Sequence, residues 1–79
     1  MALRMLGTSW CGDCTRAKDF LTRHGIDFEW TDIELDDRAA AEVEGLNGGV
    51  RVVPTILFED GTVLVEPSDE QLAHQLNLD

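Results

Sequence analysis

Apolar and polar residues follow two different periods along the chain, and four stretches have the pattern of strands. The run ALRML, residues 2–6, is short, apolar and ended by a glycine, which predicts a buried strand. In IDFEWTDI, residues 26–33, apolar and acidic side chains alternate, which is typical of a second strand. Two further stretches, TILFE and TVLVE, flank Asp60-Gly61, a dipeptide that favours a tight turn between two strands. The pattern therefore predicts two separate strands followed by a hairpin.

Elsewhere, apolar residues recur every three or four positions, as they do on one face of a helix. The first such face follows Cys11 and comprises Cys14, Ala17, Phe20 or Leu21, and His24. Gly25 suits the end of that helix, because a left-handed residue is common there. The segment DDRAAAEVEGLN has acids at its start and predicts a second helix. Its apolar stripe comprises Ala39 or Ala40, Val43 and Leu46.

The last helix is predicted from its start signal. Ser68 is placed as the N-cap, and Gln71 is placed as its partner in a capping box. Leu72 and Leu76 then form one apolar stripe. The resulting order is β-α-β-α-β-β-α, in which the first βαβ unit implies two parallel strands and the hairpin adds two antiparallel ones. Helices can cover both faces of such a sheet, so the fold class is α/β, with a four-stranded mixed sheet and three helices.

Length and composition bound the kind of protein. With 79 residues, the chain is expected to form a single domain spanning 1–79. The first residues lack the long apolar run of a signal peptide, and no stretch approaches the roughly 20 apolar residues of a membrane span. We therefore expect a cytoplasmic protein that does not enter a membrane and whose thiols are kept reduced.

The charge argues against one class of partner. The chain carries 16 acids and 6 Lys and Arg residues, giving a formal net charge of -10. Because contacts with phosphates need a basic surface, nucleic-acid binding is not expected.

The two cysteines, Cys11 and Cys14, are separated by two residues, and three explanations compete for them. A structural disulfide would close so short a loop that it would stabilise the fold poorly. A structural zinc site needs four ligands, and no histidine is spaced to complete the set, so no metal site is predicted. A metal or iron–sulfur cluster shared by a dimer stays open as an alternative. In a cytosolic chain this spacing favours a redox pair.

The position of the pair predicts which thiol reacts. Cys11 lies where the first strand has ended and the first helix begins, so unpaired N–H groups and a partial positive charge can stabilise its thiolate. Cys14 lies one turn further on, on the buried face, and is placed as the resolving thiol. Gly12 leaves room for a partner to approach, whereas the charge of Asp13 opposes that of the thiolate.

These residues together resemble a known family. Trp10-Cys11-Gly12-Asp13-Cys14 at a helix start, followed by Val53-Pro54-Thr55 before a hairpin, resembles the glutaredoxin branch of the thioredoxin fold. The sequence is more similar still to the mycoredoxin-type glutaredoxins. That likeness rests on WCGxC, Asp32-Ile33-Glu34, Arg38-Ala39-Ala40-Ala41, Asn47-Gly48-Gly49, VPT and Phe58-Glu59-Asp60-Gly61.

The resemblance implies a thioredoxin-like (glutaredoxin) fold and a thiol–disulfide oxidoreductase with a role in electron transport and cell redox homeostasis. Cys11 is implied as the nucleophile and Cys14 as the resolver, with a cis Pro54 beside Cys11. The substrate and thiol-binding residues so implied are Trp10, Gly12, Asp13, Val53, Pro54, Thr55, Ser68 and Asp69. In this scheme the Val53 backbone pairs with the incoming thiol or peptide, and the start of the last helix meets a charged end of the thiol.

The implied partners are proteins that contain disulfides or are S-thiolated. No bound cofactor is expected, and we expect a monomer. The co-substrate thiol stays open among glutathione, mycothiol and bacillithiol, because Gly-Asp stands where many glutaredoxins have Pro-Tyr, and Thr8-Ser9 stands where many have a basic residue. An alternative function is a thioredoxin-like electron donor that a thioredoxin reductase recharges.

Overall fold

A computed structural model describes residues 3–78 and contains the seven predicted elements in the predicted order. Ala2, which the sequence pattern places in the first strand, lies outside the described residues, as do Met1 and Asp79. The elements are β1 (Leu3–Gly7), α1 (Gly12–Arg23), β2 (Phe28–Asp32), α2 (Asp37–Leu46), β3 (Thr55–Leu57), β4 (Val63–Val65) and α3 (Asp69–Gln75).

The four strands form one mixed sheet in the order β2-β1-β3-β4. Strands β1 and β2 are parallel, whereas β3 is antiparallel to both β1 and β4. The predicted α/β fold with a four-stranded mixed sheet is therefore confirmed.

Side chains on the two faces of the sheet build two separate cores. On one face, Leu3 and Met5 of β1 pack with residues of α1 and α3, and on the other face Leu6 packs with α2. The strand alternates in this way because successive side chains point to opposite faces. The first core contains Leu3, Met5, Ala17, Phe20, Leu21, Ile56, Phe58 and Leu72; the second contains Leu6, Ile33, Ala39, Ala40 and Val43. Two helices thus cover one face of the sheet and one covers the other.

Caps set the helix boundaries much as the sequence predicts. Cys11 is the N-cap of α1, and His24 is its C-cap, followed by Gly25 with φ +68°. Asp36 caps α2 by accepting hydrogen bonds from two backbone N–H groups. Ser68 and Gln71 form the predicted capping box at α3. Within residues 3–78, none of the helices has the length and apolar character that crossing a membrane requires.

Several local predictions differ from the structure. Strand β2 is shorter than the predicted stretch 26–33, and His24 is an exposed C-cap that does not extend the buried face of α1. Leu46 does not complete the buried stripe of α2 but is 45% exposed, because the helix ends there and the chain turns away through Gly48 and Gly49, both at positive φ. The hairpin strands are also shorter than the sequence pattern, with three residues each. Phe58 instead belongs to the turn, where its N–H bonds the Thr62 carbonyl.

Candidate active site

The candidate active site lies at the junction of β1 and α1. Cys11 has an extended backbone, and its sulfur accepts a hydrogen bond from the N–H of Cys14 at 3.3 Å. Its side chain is half-buried. A sulfur in this position faces amide groups that have no partner within the helix, so it can accept hydrogen bonds from them.

Cys14 occupies a different environment although it is only one turn away. Its side chain is fully buried, and both cysteines are free thiols. Burial raises the pKa of the Cys14 thiol to about 12, and a backbone hydrogen bond from Thr8 offsets only part of that effect. At neutral pH the resting state of Cys14 is therefore the protonated thiol.

Gly7 creates the space that Cys14 occupies. A Cβ atom on Gly7 would lie 2.5 Å from the Cys14 sulfur and 3.0 Å from the ring of Trp30. Such distances are well inside van der Waals contact, so another side chain does not fit at this position. The sequence pattern indicates only that Gly7 ends a strand, because nothing in the neighbouring residues shows which atoms pack against it.

The segment before β3 lies beside Cys11. The Val53–Pro54 bond is cis, as the family resemblance implies. The Cys11 thiol donates to the Val53 carbonyl, with 3.9 Å between sulfur and oxygen. Pro54 and Thr55 are buried, and the Thr55 hydroxyl donates to the Val52 carbonyl and accepts from Asn47. The backbone of Val53 therefore faces the cysteine, while the Thr55 side chain is engaged inside the protein.

The residue before Cys11 carries an exposed aromatic ring. Trp10 is 69% exposed, and its indole N–H donates to the Glu34 carboxylate at 2.9 Å. Gly12 is exposed, and no atom lies within 4 Å of the position that a Cβ would occupy there. The surface next to Cys11 is thus open at Gly12 on one side in sequence and carries the exposed Trp10 on the other.

A surface groove of about 490 Å³ lies between the starts of α1 and α3. The lining residue nearest to Cys11 in sequence is Asp13, two positions later. Its lining contains both residues that the resemblance assigns to the last helix, Ser68 and Asp69. The remaining lining residues are Asp13, Arg16, Glu66, Glu70 and Gln71. The Ser68 hydroxyl accepts from the Gln71 N–H in the capping box, so it is already engaged in the helix cap.

Arg16 is a groove residue that the sequence pattern did not single out. Its guanidinium donates to the carboxylate of Asp69 and to the carbonyl of Pro67, and it lies 3.8 Å from Asp13. It therefore ties the start of α3 to α1. Arg16 is four residues after Gly12, so helical spacing places both on one face. That spacing is the sequence signal that could have pointed to Arg16, but only the folded structure brings its partners at the start of α3 close to it.

Metal binding by this chain alone finds no support in the residues that the structure describes. They contain no group of three or more His, Cys, Asp and Glu side chains that could hold an ion. A cluster shared by two copies would need the second copy to supply ligands.

Comparisons with known proteins point to one family. The family model described as Glutaredoxin matches residues 3–63. A protein of Mycobacterium tuberculosis provisionally named a glutaredoxin is 47% identical over 75 residues, covering 95% of this chain and 89% of the relative. Mycoredoxin 1 of Corynebacterium glutamicum is 33% identical over 60 residues, covering 76% of this chain and 73% of the relative.

Solved structures agree with these matches. A crystal structure of a glutaredoxin from Archaeoglobus fulgidus superposes with a TM-score of 0.80 at 29% identity, covering 96% of this chain and 87% of that one. The glutaredoxin of Methanosarcina mazei gives a TM-score of 0.78 at 26% identity, covering 95% of this chain and 77% of that one.

Proposed function

The chain belongs to the glutaredoxin family and is a glutaredoxin-like thiol oxidoreductase; on that premise we propose that Cys11 and Cys14 reduce mixed disulfides between proteins and a low-molecular-weight thiol, and also protein disulfides. The observation that carries the proposal is the position of the Cys11 sulfur, half-buried at the first turn of α1 and next to the Val53 carbonyl. A sulfur held in this way is reachable by a disulfide and faces a backbone N–H that donates to it.

The reaction proceeds by two exchanges. The Cys11 thiolate attacks one sulfur of the substrate disulfide, so that a new S–S bond forms, the old one breaks, and the other sulfur leaves as a thiolate that takes up a proton. The mixed disulfide on Cys11 is then released by a second small thiol, or by Cys14. Release by Cys14 leaves the Cys11–Cys14 disulfide, so the pair has lost two electrons and the substrate has gained them.

The surrounding residues position the substrate. The backbone of Val53 pairs with the incoming peptide or thiol beside Cys11, on the segment that Pro54 shapes. Trp10 bounds the approach, and Gly12 leaves it open. Thr55 supports this segment from inside the protein, because the hydrogen bond from its hydroxyl to the Val52 carbonyl holds the backbone in place.

The charge of the groove favours a thiol without net negative charge. Four carboxylates line it, and the guanidinium of Arg16 is already bonded to Asp69. Glutathione and bacillithiol carry net negative charge at neutral pH, whereas mycothiol carries none, so the lining repels the first two more strongly. The likeness to mycoredoxin 1 supports the same choice. We therefore assign mycothiol as the co-substrate.

Serine substitutions test the roles of the two cysteines. Cys11→Ser is expected to abolish reduction of both substrate types, because the attacking thiolate is lost. Cys14→Ser is expected to keep reduction of mixed disulfides and to lose reduction of protein disulfides, since only the latter requires the resolving thiol. The measurement is turnover of an S-mycothiolated protein and of a protein disulfide. Loss of both activities in both variants would contradict release of the Cys11 mixed disulfide by a second small thiol without Cys14.

A parallel reduction assay tests the thiol. The oxidised protein is offered glutathione, mycothiol, bacillithiol and a thioredoxin reductase, and mycothiol is expected to reduce it fastest. Neutralising two groove carboxylates with Asp13→Asn and Glu70→Gln should raise the glutathione rate relative to the mycothiol rate by about two- to fivefold.

Two results would speak against this assignment. Asp27→Asn is the matched control, because Asp27 is exposed and precedes β2 at the end of the sheet away from Cys11; it should leave the ratio unchanged. An equal shift in this control would mean that only net charge matters, not the groove. Reduction by the reductase alone would instead identify the thioredoxin-like electron donor.

A further inference from the structure

The buried thiol Cys14 lies near Trp30, for which the sequence pattern predicts only a place in a strand. Trp30 is in β2, opposite Met5 of the central strand. Its ring and the Cys14 sulfur both approach the empty Cβ position of Gly7, at 3.0 and 2.5 Å. Ring and sulfur therefore both lie within 3.0 Å of that position, which places them near the separation at which sulfur interacts favourably with aromatic rings.

The same ring holds a lysine. The ammonium of Lys18 lies 3.9 Å from the centroid of the Trp30 ring, a distance at which a cation is attracted to the ring face. Lys18 is also four residues after Cys14 on α1, so the two side chains lie on neighbouring turns of one face. The ring thus holds a positive charge one helical turn from the buried thiol.

The resolving thiol has a specific need for such a charge. Cys14 must lose its proton before it can attack, and burial opposes this by disfavouring the thiolate. Two ionisable groups in the described part of the chain act on it: Cys11, which raises the pKa of Cys14, and Lys18, which lowers it. The backbone hydrogen bond from Thr8 adds to the effect of Lys18.

We propose that Lys18, held by the positioning residue Trp30, stabilises the Cys14 thiolate as it forms and thereby speeds the resolving step. The inference rests on the proposed function, since it concerns the second of its two exchanges. In that step the Cys14 thiol gives up its proton, its sulfur bonds to the Cys11 sulfur, and the substrate sulfur leaves as a thiolate that takes up a proton. The cysteine pair is oxidised by two electrons and the substrate is reduced by two.

Rapid mixing with dithiodipyridine, an uncharged disulfide whose released pyridinethione absorbs light, separates the two exchanges. The first release reports attack by Cys11, and the second reports resolution by Cys14. Lys18→Gln is expected to lower the ratio of the second rate to the first by about fivefold, because it removes the charge and keeps a similar length. Lys18→Arg should keep the ratio within about twofold of the original, because it retains the charge.

Arg23→Gln is the matched control, since it removes one positive charge from the far end of the same helix, where Arg23 pairs with Asp19. It should leave the ratio unchanged. Added salt should narrow the difference between the original protein and Lys18→Gln, because it screens the charge of Lys18. A contact that only packs the surface would not show this salt dependence.

The outcomes separate the two hypotheses. Absence of the first release would mean that the proposed function itself fails. Both releases present, with an unchanged ratio in Lys18→Gln, would overturn the role of Lys18. So would an equally low ratio in Lys18→Arg, because the effect would then come from side-chain shape and not from charge.

Discussion

At the scale of single residues, Cys11 and Cys14 show how three positions of helix separate two identical side chains. The cap position leaves the sulfur of Cys11 at the surface beside backbone amides. One turn later, Cys14 points into the space over Gly7 and loses its contact with water. Chemistry that differs between the two thiols therefore arises from position alone.

Alkylation by iodoacetamide at neutral pH is expected to label Cys11 and to spare Cys14. Cys14 is buried, and with a pKa raised to about 12 it has almost no thiolate below pH 9. Peptide mapping by mass spectrometry locates the label, and the same reaction in urea, where both thiols are exposed, is the control. Equal labelling of both cysteines in the folded protein would contradict the buried position of Cys14.

Gly7→Ala is expected to lower the free energy of unfolding by about 1–3 kcal/mol, because the added methyl group overlaps the Cys14 sulfur and the Trp30 ring. Urea denaturation measures the change. Gly45→Ala is the matched control, since Gly45 lies in α2 with nothing near its Cβ position. It should raise the free energy of unfolding by about 0.5 kcal/mol. Equal effects of the two substitutions would argue against the close approach at Gly7.

The Thr8 hydroxyl is buried and, among the described residues, has no hydrogen-bond partner. Thr8→Val is therefore expected to raise the free energy of unfolding by about 1 kcal/mol, because it removes a polar atom that gains nothing on folding. Thr55→Val should lower it by about 1–3 kcal/mol, since the Thr55 hydroxyl is equally buried but bonds Val52 and Asn47. Urea denaturation of both variants compares them, and a loss of stability in Thr8→Val would reveal a bond at that hydroxyl.

At the scale of elements, the starts of two helices contribute directly to the candidate site. The start of α1 provides the amide that the Cys11 sulfur accepts from, and the start of α3 provides one wall of the groove. The two starts are joined by Arg16 through its bonds to Pro67 and Asp69. The site is therefore built from helix ends that a hydrogen-bond network holds together.

Ser68→Ala is expected to lower the free energy of unfolding by about 1 kcal/mol, because it removes half of the capping box that starts α3. Thermal and urea denaturation measure the loss. Ser9→Ala is the control, since Ser9 is exposed in the turn before α1, and it should change the stability by less than about 0.5 kcal/mol. An unchanged free energy of unfolding in Ser68→Ala would mean that packing of Leu72 in the core, and not the cap, stabilises α3.

At the scale of the whole molecule, excess negative charge surrounds a small core. The chain has a net charge of -10, and its Cα radius of gyration is 11.7 Å. Charges of one sign that are held this close repel one another, and the unfolded chain relieves that repulsion by expanding. Ion pairs such as Arg4 with Glu42 act in the opposite direction at single places on the surface.

Salt is therefore expected to raise the thermal midpoint by about 2–5 °C between about 0.01 M and 0.15 M NaCl, because it screens the repulsion. Scanning calorimetry measures the midpoint. Asp27→Lys lowers the excess negative charge at an exposed position and should show a smaller rise. A midpoint that falls with salt would indicate that the surface ion pairs outweigh the general repulsion.

Local signals in the sequence were enough to predict the elements and to place Cys11 and Cys14 at the start of the first helix. Periodicity predicted the second strand and the first two helices, because it follows directly from the geometry of each element, and turn and capping signals predicted the hairpin and the last helix. The capping box at Ser68 and the position of Cys11 at a helix start were equally local. Where local pattern failed, as at Leu46, the cause was the point at which α2 ends relative to the sheet beneath it.

The sequence by itself thus determined which elements form, in what order, and that two thiols stand at the start of a helix. Only the tertiary structure decided that Gly7 must be bare, that Trp30 holds Lys18 beside Cys14, and that Arg16 joins α1 to α3. The physical reason is range. Hydrogen bonds and side-chain periods within an element depend on neighbours a few residues away, whereas these contacts join residues of different elements and exist only once the sheet has brought those elements together.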